Sequence, residues 1–487
     1  MAGKVDKKEL FFLIVSLAII IGSRFVPEFA GLSSDAISVL GVFFGSLLMW
    51  ITISIDWPSM ITLLALGFLP VLGFGKTFAG AFGNSTVAFL IFTFALVYPL
   101  AKTNFVRRCT VLFITNRIAR RGPWSFVCFL FAAVTFMGLF VSPSVLFVAF
   151  MPFLYDICTV LDVKKGGKTG NMLMLGTAFC ISLSSGMTAI GHVWPTMAIG
   201  YYTAATGLDV NQFQYMAMGI PTGIVLVALL IIVFRVFFRP DDIKNLQPEK
   251  AMGLRGTVPA ADLKEKIVLS VMALTVFLWV GPSLLKGPMP ELYKTINSWT
   301  TAMPPLLGCI ILFMVKIDGQ RILEFKEVTN KGILWGSILM TGAATWLGAC
   351  LTNKTIGLSA WLTNTLSPLT AGLSVTGMIM FFMTWAILET NFSSNIVTTT
   401  VVSSVALSVL AALPAGTVHI APVVCMVGFA AGVCNMTPAG QSTVNTVAIG
   451  SGWTTARSMF VWGGIFAAMA ILVLTFFAYP LGSIVMG

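Results

Sequence analysis

Two apolar stretches of this chain are interrupted by clusters of small hydroxyl and amide residues. The first cluster is Ser142-Pro143-Ser144, and the second runs from Thr390 and Asn391 through Ser393 and Ser394 to Asn395. Downstream of each, the pentad Thr-x-Ala-Ile-Gly recurs. It is Thr196 to Gly200 after Pro195, then Thr446 to Gly450 after Asn445, an offset of 250 residues in a chain of 487. At that offset Ser394 falls on Ser144. Hydroxyls donate to an anion without bulk, while an asparagine offers both a donor and a carbonyl acceptor. Paired polar interruptions at matching places in two membrane halves mark the substrate site of a secondary transporter. The candidate substrate contacts are therefore Ser142, Ser144, Thr196, Ser394, Asn395, Ser442 and Thr443. Two ionisable residues sit beside these clusters: His192 in the first half and Glu389 in the second. An ionisable group within an apolar stretch is a functional hypothesis by default, so both are candidates for coupling.

The elements that position these residues are membrane spans. Hydrophobic residues make up 57% of the chain and charged residues only 10%, with a mean hydropathy of +0.94; soluble domains carry about 25% charged residues. The apolar runs are long enough to cross a hydrocarbon core, which takes about 20 helical residues. Eleven spans are expected, beginning near Leu10, Asp35, Pro58, Ser85, Gly170, Tyr215, Lys266, Thr300, Gly332, Ile420 and Ser458. Two hairpins, 123–160 and 367–413, enter and leave on one side. No cleavable signal is expected before the run from Leu10 to Val26. The eight cysteines have no metal-type spacing and read as small packing residues.

With that arrangement, 24 of the 29 Lys and Arg residues fall on one side; Arg24, Lys76, Lys286, Lys294 and Lys354 fall on the other. The positive-inside rule then puts the N-terminus in the cytoplasm and the C-terminus outside, in an inner (plasma) membrane. The net charge of +11 is thus a topology signal and a contact with anionic lipid heads, and it does not imply nucleic acid. The first hairpin opens from the cytoplasm and the second from outside. The expected fold is an all-α polytopic membrane protein: an inverted-topology repeat with two re-entrant hairpins and two broken helices that meet near the midplane. Residues 1–240 form the first repeat, with its broken span at 170–205. Residues 241–263 are a cytoplasmic linker, and 264–487 form the second repeat, with its broken span at 420–452.

These residues resemble the divalent anion/sodium symporter family, which carries dicarboxylates, citrate or sulfate. The resemblance runs over nearly the whole length. The run Ala81 to Thr86 is similar to the family's fourth span, and Lys102 to Arg108 to its basic exit. Family members carry a Ser-Asn-Thr triplet at each hairpin tip. The second tip here, Ser394-Asn395-Ile396, is similar, with Ile396 in place of the threonine. The first, Ser142-Pro143-Ser144, keeps the leading serine and a hydroxyl. Gly186-Met187-Thr188 to Pro195-Thr196, and Thr437-Pro438 to Asn445, resemble the family's two unwound spans. The resemblance implies a homodimer and a sodium ion as the candidate co-ion, with no other cofactor. It places Thr390, Asn395 and Asn445 at a cation site. Pro143 has no side-chain oxygen, so the first of the family's two sodium sites loses a ligand, although a proline also frees an upstream carbonyl.

Helix ends at tips and breaks carry unpaired N–H groups and a partial positive charge, so a carboxylate is held there without an intramembrane Lys or Arg. The resulting expectation is a secondary active carrier of small divalent or trivalent anions such as di- or tricarboxylates, working by alternating access with sodium as the candidate co-ion. A sodium-independent exchanger or a proton-coupled carrier of the same fold is the alternative. An intramembrane hydrolase using Ser184 or Ser185 with His192 lacks a nucleophile elbow and an orienting acid. A channel would want one continuous pore instead of an inverted repeat.

Overall fold

The computed structural model describes residues 7–487 except 30, 191, 286, 354, 359–360, 362–372, 412 and 415. Residues 367–372 and 412 of the expected second hairpin therefore lie outside the described residues. The chain is mostly helical. Its named strands among the described residues form a two-stranded ribbon, with Lys316–Ile317 paired antiparallel to Gln320–Arg321. A helix begins within three residues of each of the eleven expected span starts, from Lys7–Gly22 to Ala456–Val473. Among the described residues, five helices are long and apolar enough to cross a membrane, and up to seven if each of two bent pairs counts as one span.

The layering reverses the usual expectation that polar residues lie outside. Two of the helices richest in Ser and Thr, Lys168–Met187 and Asn395–Leu410, lie at the centre. Lys168–Met187, Val193–Thr206, Asn395–Leu410 and Ile420–Ala430 are buried over most of their lengths. The outer helices expose large apolar side chains, such as Phe11, Ile14 and Ile21 on Lys7–Gly22 and Phe237 and Ile232 farther on. That is the pattern of a protein solvated by lipid tails. Inside, several hydroxyls return to their own helix backbone. Ser184 donates to Ile181 O (2.8 Å), Thr399 to Asn395 O (2.8 Å) and Thr400 to Ile396 O (2.9 Å). Such back-bonding satisfies a hydroxyl where water is absent.

Two helix pairs are joined by very short connections. Pro123–Gly138 leads through 139–142 into Pro143–Val160, and Val375–Phe392 leads through 393–394 into Asn395–Leu410. Two other helices stop and restart. Lys168–Met187 resumes as Val193–Thr206, and Ile420–Ala430 resumes as Ser442–Gly450 after a break of eleven residues. The recurring pentads lie on the restarted helices, just after each break. Segment 241–263 is less free than a linker. Its 3-10 turns bury Ile243, Leu246, Ala251 and Leu254 and are tied down by ion pairs of Lys168 with Asp241 (2.6 Å) and of Lys250 with Asp162.

Candidate functional site

The broken elements cross at glycines. A Cβ on Gly186, at the end of Lys168–Met187, would lie 2.6 Å from Phe429 O. One on Gly432 would lie 3.0 Å from Ser182 O, and one on Gly428 3.0 Å from Pro195 Cα. Only glycine permits backbones to approach so closely. The approach brings together polar groups from both halves. Asn435, in the second break, donates from Nδ2 to Ser182 Oγ at 3.0 Å and to Asn445 Oδ1 at 2.7 Å. Asn445 in turn donates to Cys434 O (3.0 Å) and Thr437 O (2.7 Å). Asn435 Oδ1 is buried with no hydrogen-bond partner.

Each tip is fastened to the break beside it. In the first half Thr188 Oγ1 donates to Leu139 O at 2.7 Å, and Thr196 Oγ1 donates across the break to Ala189 O at 3.1 Å. In the second half Asn391 does more. Its Nδ2 donates to Ile387 O and Val433 O, both at 2.7 Å, and its Oδ1 accepts from Met436 N at 2.7 Å. Thr437 Oγ1 also donates to Asn391 O. Thr390 Oγ1 lies 3.4 Å from Ala431 O.

The four helices that start at a tip or a break begin at Pro143, Val193, Asn395 and Ser442, and none has a side chain capping its first amides. Several helices that start in loops are capped: Ser33, Asn84, Asn211, Asp262, Ser374 and Thr455 each accept from a backbone amide. Uncapped first-turn amides are free donors for an anion.

The expected contacts are distributed unevenly over this frame. Asn395 is buried at the centre, while Ser142, Ser144, Ser394 and Thr443 are half-buried and Ser442 is exposed. Ser142 lines a cavity of about 180 Å³. Thr196 and Asn445 already spend their donors within the breaks. Among the described residues no hydrogen bond joins the first tip to the second; beside the breaks the halves are linked by Asn435 to Ser182 and by Tyr201, whose hydroxyl donates to Thr400 Oγ1 at 2.8 Å. The His192 ring stacks on Trp194 with centroids 3.5 Å apart, and its Nδ1 is buried without a partner. Ser184 and Ser185 donate back to Ile181 O and Ser182 O, so neither is poised against His192. Glu389 Oε2 and Ser393 Oγ, beside the second tip, are also buried and unpaired. Sequence reasoning missed Ser182, Thr188, Asn391 and Asn435 as organisers. For Asn435 the signal was an amide directly after Gly432, Val433 and Cys434, two residues before the break was expected to open at Thr437.

A citrate transporter family model matches residues 46–424. The chain is similar to a sodium-dependent dicarboxylate transporter of Staphylococcus saprophyticus, 24% identical over 94% of this chain and 88% of that protein. A sodium-dependent dicarboxylate transporter of Staphylococcus aureus is 23% identical over 82% of this chain and 77% of its own. In structure the chain resembles the YdaH transporter of Alcanivorax borkumensis, described as having an unusual topology. The TM-score is 0.54 at 11% identity, covering 98% of this chain and 97% of that one; this likeness concerns the fold alone. The multi-pass chain belongs to the citrate transporter family, and is a transporter and not an enzyme.

Proposed function

We propose that the protein is a secondary active transporter of small di- or tricarboxylates, working by alternating access and coupled to sodium. The observation that carries this reading is the meeting of the two breaks, where Asn435 bonds Ser182 from the other half. Matched polar breaks that converge suit a carrier whose substrate sits between two repeats. The relatives named as sodium-dependent dicarboxylate transporters support the substrate class.

In this reading residues 1–240 and 264–487 are repeats of opposite topology joined by the cytoplasmic linker 241–263. The pairs 123–160 and 367–413 are re-entrant hairpins opening to opposite sides. The N-terminus is cytoplasmic, the C-terminus lies outside the plasma membrane, and the protein is a homodimer. The anion is held by the uncapped amides at Pro143–Val160, Val193–Thr206, Asn395–Leu410 and Ser442–Gly450. Ser142, Ser144, Ser394, Asn395, Ser442 and Thr443 add side-chain donors, and Thr196 keeps the first break closed. No Lys or Arg enters this centre, so the anion's charge falls to helix ends and a co-bound cation.

Sodium takes oxygen ligands, and the second break is rich in them. Asn435 Oδ1 is an orphaned buried acceptor, and Thr390, Asn395 and the backbone carbonyls freed in the break are the further oxygens we assign to the site. Asn445 orients the Asn435 amide through its own Oδ1. Bound there, sodium supplies positive charge to the carboxylate and links its occupancy to the gradient. His192 and Glu389 are the groups through which coupling would respond to protons. A second reading, exchange without sodium, draws on Pro143, which opens the helix after the first tip and offers no side-chain oxygen there.

The test is uptake into proteoliposomes from a panel of C4 to C6 carboxylates and sulfate, with and without a sodium gradient. The expected result is saturable uptake of at least one di- or tricarboxylate, stimulated by sodium. Uptake that saturates equally without sodium would select the exchange reading. Lack of uptake and counterflow across the whole panel would remove the substrate class.

A further inference from the structure

The cavity beside the first tip carries full charges that the rest of the site lacks. Ser142, Val145 and Ile190 line one side of it, and Tyr98, Lys102 and Lys331 the other. Lys102 ends the helix Ser85–Ala101. Its ammonium pairs with Glu327 and stands 4.5 Å from the Tyr98 ring centroid. Tyr98 donates its hydroxyl to the same Glu327 oxygen at 3.0 Å. Lys102, and after it Tyr98, hold the Glu327 carboxyl below the usual carboxylate range. Lys331 is exposed and forms no ion pair among the described residues. The next residue, Gly332, lies close to Tyr98: a Cβ there would be 3.0 Å from the ring. Immediately after Gly332 the chain bends by 66° into the helix from Trp335.

Two ammonium groups and one carboxylate leave a net charge of plus one at the entrance to a pocket floored by a tip serine. That balance fits a ligand bearing more than one carboxylate. One carboxylate meets the unpaired Lys331, and a second takes the place of Glu327 on Lys102. We propose that this cavity is an anteroom for the permeant anion, where Lys331 receives one carboxylate and Glu327 competes with another for Lys102. The inference rests on the carboxylate-transport reading. Glu327 then acts as an internal stand-in that keeps Lys102 paired between transport cycles and sets how readily an anion enters from this face.

The experiment compares the saturation kinetics of wild type with Lys331→Gln, Lys331→Arg and Glu327→Gln in proteoliposomes, using the best-transported acid of the panel at fixed sodium. An exposed charge contact is weak, so the expected KM rise for Lys331→Gln is about threefold with maximal rate unchanged. Lys331→Arg should keep the wild-type KM, because the charge and not the shape is required. Glu327→Gln should lower KM by about threefold, the opposite direction. Both shifts should fade when added potassium chloride shortens the screening length toward about 3 Å.

Equal KM in all four proteins, with wild-type transport intact, would overturn the anteroom while leaving the transport reading standing. KM shifts that occur with anionic lipid vesicles but vanish in purely zwitterionic ones would assign Lys331 to lipid headgroups and also overturn it. A wild type that moves no carboxylate would end both proposals.

Discussion

Asn391→Ala is expected to cut transport at least tenfold and to lower the thermal midpoint of the solubilised protein by a few degrees. The side chain holds the second tip against the second break by donating to Val433 O and accepting from Met436 N. Neither backbone group has helical neighbours to turn to, since both lie between Ala430 and Ser442. Interhelical hydrogen bonds in membranes average only about 0.6 kcal/mol where the freed groups find substitutes. Here substitutes are few, so the relevant scale is that of a buried group left unpaired, about 1–3 kcal/mol each. About 1.4 kcal/mol is one decade in an equilibrium. Asn395→Ala provides the contrast. Asn395 faces the shared polar centre, so its removal should also cost at least tenfold in transport, but with an unshifted midpoint. The comparison is read by initial uptake rates beside melting in detergent. If Asn395→Ala melts as early as Asn391→Ala, Asn395 belongs to the packing of the tip and not to binding.

How these two asparagines differ could not be read from the chain. Both lie in one polar run, Thr390 to Asn395, and local pattern says only that the run interrupts an apolar helix. The ends of the first helix pair were legible, because Pro123 and Pro143 each open a helix where a missing N–H costs nothing. The second break was harder. Its sequence signal, Thr437-Pro438, sits in the middle of the unwound stretch, and the helix before it already ends at Ala430. What ends it is tertiary. Asn391 and Asn445 take over the backbone groups of Val433, Cys434, Met436 and Thr437, and no helical periodicity records a partner forty residues away. Ser182 was invisible for the same reason: a serine in an apolar helix looks like packing until Asn435 is placed beside it.

The glycines at the crossing lead to the other large effect. Gly186→Ala should reduce transport by more than tenfold and lower the yield of folded protein. The added methyl would lie 2.6 Å from Phe429 O and 3.2 Å from Phe429 Cα. These are backbone atoms of the partner helix, so no side chain can swing aside, and overpacking of this kind costs about 1–3 kcal/mol. Relief requires Lys168–Met187 and Ile420–Ala430 to separate. Separation would stretch the 3.0 Å bond from Asn435 to Ser182. The same substitution at Gly75 serves as control. Gly75 lies in Gly73–Phe82 with open space around its Cβ position, and alanine is the better helix former by about 0.5–1 kcal/mol. Gly75→Ala should therefore transport like wild type and melt no lower. If Gly186→Ala kept wild-type rates, the two broken elements would have to slide apart without penalty. They could not then move as one body carrying the substrate, and the alternating-access reading would lose its moving part.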